Sequence, residues 1–127
     1  DGTEECEALL VADLLRRAKV EVTIASAMGR RALVSSHGIH LNADALAEDV
    51  DYSDVDMVIL PGGIPGTPNL AENKTVTDTC VSFAKAGKKV AAICAAPASS
   101  PASACWKAGT PPPTPDSGQA GRCHRPR

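Results

Sequence analysis

Two short apolar runs, residues 55–60 and 89–93, constrain this chain more than any other feature. Each is too short for a buried helix and rich in Val, Ile or Leu, the pattern of a parallel strand covered on both faces. The first stops abruptly at Pro61-Gly62-Gly63 and the second at Cys94. Between them, residues 74–86 carry Val76, Cys80 and Phe83 along one helical face, and Gly87 supplies a C-terminal stop. Strand, helix and strand in this order call for a crossover between parallel neighbours.

The upstream sequence fits the same plan. Residues 4–19 read as a helix with Leu10, Val11, Leu14 and Leu15 as its apolar stripe. Thr3 is a suitable N-cap, and Glu4, Glu5 and Glu7 precede Arg16, Arg17 and Lys19 as the helix dipole prefers. Residues 20–26 alternate as a strand. Leu33-Val34 and Ile39-His40-Leu41 read as short strands, and 45–50 as a short helix or a loop. The predicted class is α/β with a mostly parallel sheet.

Of the 127 residues, 1–98 form the expected domain, while 99–127 hold six of the ten prolines and read as a disordered Pro/Ala/Ser-rich tail. A helix beginning near residue 3 normally follows a first strand, and further elements are expected after Cys94. The reading is therefore of an incomplete sheet, with a chain truncated at its N-terminus and a tail from a frameshift or misassigned exon. The formal charge of −2 excludes the basic surface that nucleic acids select. No apolar run approaches the roughly 18 residues of a membrane span, and no signal peptide opens the chain, so the expected location is cytoplasmic. Cys6, Cys80, Cys94, Cys105 and Cys123 are odd in number and widely spaced, which reads as reduced thiols.

In open α/β sheets, reactive groups collect at the carboxyl ends of strands. Cys94 arrives there from one strand and Pro61-Gly62-Gly63 from another. A Cys between a strand and the small residues Ala95-Ala96 suits a nucleophile elbow, where helix N–H groups stabilise a thiolate. The alternative is an inert, buried thiol. The two glycines suit an oxyanion hole, or simply a tight turn. The glutamates complement the helix dipole, or one of them points under the sheet edge toward the thiol. His37 and His40 have no partner at ligand spacing, and neither cysteine nor glycine spacing marks a metal, nucleotide or flavin site, so no cofactor is expected.

Four segments in order, Gly2-Thr3-Glu4-Glu5-Cys6-Glu7-Ala8, Asp13-Leu14-Leu15-Arg16-Arg17-Ala18, Val58-Ile59-Leu60-Pro61-Gly62-Gly63 and Ala91-Ala92-Ile93-Cys94-Ala95-Ala96-Pro97, resemble the ThiJ/PfpI family, in its protein deglycase and YajL branch. The resemblance covers residues 1–98. It implies a flavodoxin-like three-layer sandwich, usually dimeric. It also implies a reactive Cys94, a Glu7 carboxyl hydrogen-bonded to it, and backbone N–H groups of Gly63 and Ala95 at an oxyanion site. The implied function is cofactor-independent glyoxalase or deglycase chemistry on small reactive aldehydes or glycated protein side chains, under carbonyl or oxidative stress. Alternatives are a redox-sensing chaperone that uses Cys94 oxidation, or a non-functional fragment. The family's downstream histidine has no counterpart, since His124 stands in the basic tail.

Overall fold

The computed structural model describes residues 1–96. The predicted tail at 99–127, with Cys105, Cys123 and His124, lies outside the described residues.

Helix α1 opens as a wide π turn, Cys6–Leu10, and continues as regular α-helix, Val11–Arg17. It is shorter at both ends than the 4–19 expected. Lys19, at φ 63°, takes the left-handed conformation that ends the helix, and Val20 N–H donates back to Leu15 O at 3.0 Å. Thr3 is not the cap. Its Oγ1 is buried without a hydrogen-bond partner among the described residues, and the Glu4 carboxylate accepts Glu7 N–H at 2.7 Å instead. The reason is local. Ser36 N–H donates to Thr3 O at 2.8 Å and Glu4 N–H to Gly62 O at 2.9 Å, so the chain enters the helix only after Glu4.

Six strands form three two-stranded ladders among the described residues. β1 (Ala25–Ser26) pairs parallel with β4 (Ala45–Leu46), and β2 (Ala32–Val34) pairs antiparallel with β3 (His40–Asn42). β5 (Met57–Leu60) runs parallel to β6 (Lys89–Ala92), with Leu60 opposite Ala92. Two of the three ladders are thus parallel, as the element order requires. The strand expected at 20–26 contracts to β1, because side chains occupy the backbone groups before it. Arg16 donates to Val22 O at 2.9 Å, and the Asp44 carboxylate accepts Ile24 N–H at 2.8 Å. Residues 45–50 resolve into β4 followed by a 3₁₀ turn, Ala47–Asp49.

Between β5 and β6 the chain forms α2 (Gly66–Glu72) and α3 (Lys74–Lys85). The first was hidden in the sequence by Pro65 and Pro68. Pro68 lies in the first turn, where its missing N–H removes no helical bond. Asn73 caps α3 by accepting Val76 N–H at 2.9 Å, and Gly87 at φ 72° ends it. Leu60, Val76, Cys80, Ala47 and Ala96 form the core, with Val58, Leu70, Val81 and Val90 packed around them. Burial on both faces of β5 does not hold. Met57 is 42% and Ile59 36% exposed, since the core lies on the other side of the ladder.

Lys88 fastens the entry to β5. Its Nζ donates to Tyr52 O at 3.3 Å, Ser53 O at 2.6 Å and Val55 O at 2.8 Å, and lies 5.1 Å from the Phe83 ring centroid. Tyr52 meets the same ring edge-on at 6.3 Å. The Lys88→Met substitution keeps the aliphatic stem but strands these carbonyls. It should lower stability by about 2 kcal/mol in urea unfolding followed by circular dichroism.

Candidate active site

Parallel register brings the site together. Leu60 and Ala92 are partners, so two residues further on Gly62 stands beside Cys94. Ile93 N–H extends the ladder by donating to Leu60 O at 3.2 Å, and Ala96 N–H closes the following turn on Ile93 O at 3.1 Å. Between them Cys94 has φ 58° and an exposed side chain. A left-handed cysteine costs roughly 1–3 kcal/mol, and such strain concentrates at reactive elbows. Cys94 is therefore not a buried thiol, whereas Cys80 is, at 0% exposure.

Gly62 is the hinge of the arrangement. A Cβ on it would lie 2.7 Å from Cys94 Cβ, 2.7 Å from Glu7 Oε2 and 3.2 Å from Cys94 Sγ. Thiol and carboxylate therefore flank one point that only a glycine leaves empty. Glu7 Oε2 accepts Gly62 N–H at 2.8 Å. Among the described residues Glu7 Oε2 takes Gly62 N–H rather than the Cys94 hydrogen bond that the resemblance implies. Gly63 is tied more tightly still, at φ 98° and with its Cβ position 2.3 Å from Glu4 N. Its own N–H has no hydrogen-bond partner among the described residues, and Ala95 directly follows Cys94 on the elbow.

Glu5 and His37 form a second polar group that the sequence did not reveal, 32 residues apart on α1 and the β2–β3 hairpin. His37 Nδ1 donates to Glu5 Oε1 at 2.9 Å, and Ser36 Oγ donates to Glu5 Oε2 at 3.2 Å. Burial pushes the Glu5 pKa up, but hydrogen bonds from its own backbone N–H, His37, Ser35 and Ser36 outweigh that and hold it below the ordinary carboxylate value. Glu4, Glu5 and His37 each present one ligand-type atom, all within 4.8 Å of one another. These are the described residues able to hold a cation, although their hydrogen bonds already satisfy them. His40 opens β3 and faces solvent. The three-residue spacing of Glu4 and Glu7, a helix-start signal, was the one available clue to the carboxylate cap.

Fold and site together define a flavodoxin-like α/β protein with an exposed thiol on a strained elbow beside a carboxylate. Residues 1–105 match the model of the DJ-1/PfpI family, and the chain belongs to that family. It is 38% identical to Protein dj-1beta of Drosophila melanogaster, over 76% of this chain and 51% of that one. It is 30% identical to the glutathione-independent glyoxalase DJR-1.2 of Caenorhabditis elegans, again over 76% and 51%. The structure of oxidized Toxoplasma gondii DJ-1 superposes with a TM-score of 0.77 at 34% identity, covering 80% of this chain and 55% of that chain. The chain thus spans about half the length of these relatives.

Gly62→Ala inserts a methyl group between Cys94 and Glu7, so iodoacetamide labelling of Cys94 should slow at least about tenfold; labelling rates followed by mass spectrometry test this. For Glu5 the pH dependence has a definite sign. A carboxylate whose pKa falls on folding stabilises the fold above its unfolded value, about 4.3, and loses that contribution as pH drops through the lower folded value. Melting temperatures measured from pH 6 to pH 3 should therefore decline more steeply in the wild type than in Glu5→Gln.

Proposed function

We propose that the protein is a cysteine-dependent, cofactor-independent enzyme acting on small reactive carbonyl compounds, of the glyoxalase and deglycase type. The observation that carries this reading is the exposed Cys94 at φ 58° with Glu7 Oε2 across Gly62. The name of the Caenorhabditis elegans relative, a glutathione-independent glyoxalase, supports it.

In this reading the Cys94 thiolate attacks the aldehyde carbon of methylglyoxal. A carbon–sulfur bond forms, the carbonyl π bond opens, and the new oxyanion takes a proton to give a hemithioacetal. Glu7 then carries a proton from the former aldehyde carbon to the adjacent carbonyl carbon, while the hydroxyl proton on the first carbon passes to the oxygen of the second, leaving a carbonyl on the first and a hydroxyl on the second. The product of that shift is a thioester, and water releases lactate and restores the thiol with no net oxidation or reduction. In the same reading the backbone N–H groups of Gly63 and Ala95 would donate to the developing oxyanion. Reactive aldehydes and glycated side chains are the substrates of this reading, which needs no metal, flavin or nucleotide. No helix among the described residues is long and apolar enough to cross a membrane.

Methylglyoxal consumption by the full chain without glutathione tests the proposal. Cys94→Ser should abolish it, and Glu7→Gln should lower kcat roughly 100-fold while the Cys94 thiol remains open to alkylation. Wild-type turnover in Cys94→Ser would overturn the assignment.

A further inference from the structure

Three hydrogen bonds close a ring at the mouth of the site. Glu4 N–H donates to Gly62 O at 2.9 Å, Gly62 N–H donates to Glu7 Oε2 at 2.8 Å, and Glu7 N–H donates to Glu4 Oε2 at 2.7 Å. Each of the three residues gives one donor and one acceptor, so the bonds run in one direction around the ring. Two of them cross from α1 to the turn after β5, which is more than fifty residues away in sequence. The third runs from Glu7 N–H to the Glu4 carboxylate, and beside it Ala8 N–H donates to Glu4 O at 3.1 Å.

Geometry makes that third bond decisive for Glu7. The helix begins within the ring at Cys6, and the N–H groups of a first helical turn have no ladder partner, so Glu7 N–H relies on the Glu4 carboxylate while Ala8 N–H bonds Glu4 O. Glu7 has Glu4 Oε2 on its N–H and Gly62 N–H on its carboxylate, one bond at each end of the residue. Among the described residues the Glu4 side chain makes no hydrogen bond to Cys94. The hydrogen-bonded path from its side chain toward the thiol runs through Glu7.

We propose that Glu4 is a positioning residue for the thiol site, its carboxylate locking the backbone of Glu7 so that Glu7 Oε2 stays across Gly62 from Cys94. The inference rests on the reading of Cys94 and Glu7 as reacting groups, but its test does not depend on the carbonyl reaction. What the ring requires of residue 4 is an acceptor oxygen at this reach, not a negative charge. Glutamine supplies that oxygen and alanine does not.

The experiment uses the full chain and two readouts, the pH profile of Cys94 alkylation by iodoacetamide and the steady-state kinetics of methylglyoxal consumption. Glu4→Ala should shift the alkylation profile away from that of the wild type and lower kcat roughly tenfold with KM unchanged. Glu4→Gln should restore the profile and return kcat to within about twofold. Asn73→Ala serves as the control for simple loss of a helix cap, because Asn73 holds Val76 N–H at the start of α3. It should lower the melting temperature and leave the alkylation profile in place. The proposal is overturned if Glu4→Gln is as impaired as Glu4→Ala, if Glu4→Ala matches the wild-type profile, or if Asn73→Ala shifts the profile equally. Absence of methylglyoxal turnover in the wild type would remove the carbonyl reading, while the alkylation profiles would still decide the role of Glu4.

Discussion

The approach of the Gly2–Glu4 segment to the turn at Gly62 and Gly63 is the contact on which the rest of the site depends. Gly66 N–H donates to Gly2 O at 3.0 Å, Gly2 N–H to Val34 O at 2.7 Å, and Glu4 N–H to Gly62 O at 2.9 Å. A short extended stretch is thereby threaded between the β2–β3 hairpin and the turn after β5. Backbones meet this closely only where no Cβ intervenes, and the Cβ positions of Gly63 and Gly66 fall within 2.6 Å of Gly2 O. Around that contact α1 is held at a fixed angle, Glu7 is delivered to Gly62, and Glu5 reaches the hairpin.

Opposing demands are visible at Cys94. Strand pairing carries the chain up to Ile93, and the residue after it must turn sharply to begin the next segment. A glycine would make that turn without strain, whereas cysteine stands there in a left-handed conformation. The strain is borne by the β5–β6 ladder on one side and by buried Ala96 on the other. An exposed thiol is held in the open by elements whose own stability comes from elsewhere in the core.

Membership of the DJ-1/PfpI family follows from a match over residues 1–105, while the chain spans about half of relatives such as Drosophila Protein dj-1beta. The elements it shares with them include those that carry the thiol, the glycine turn and the glutamate helix. The chemistry proposed for Cys94 therefore concerns a local assembly of three chain segments, whose register is set by one parallel pair of strands.

Much of this was legible in the residues themselves. Apolar runs and their terminators located β5, β6 and α3, and their order implied parallel pairing and a site at the carboxyl ends. Those signals are local, since burial pattern, turn chemistry and helix stops act over a few residues. Other features escaped. A proline-rich stretch concealed α2, and Thr3 looked like a cap because capping residues are recognised by type, while the path of the chain into α1 made Glu4 the acceptor. The Glu5–His37 pair and the sharing of Gly62 by Cys94 and Glu7 have no sequence signature, because each joins segments tens of residues apart. The sequence by itself determined which residues could react and where strands and helices begin. Only the tertiary structure decided which carboxylate meets which backbone N–H, since that follows from the register of β5 on β6 and from how closely side-chain-free glycines let the chain pack.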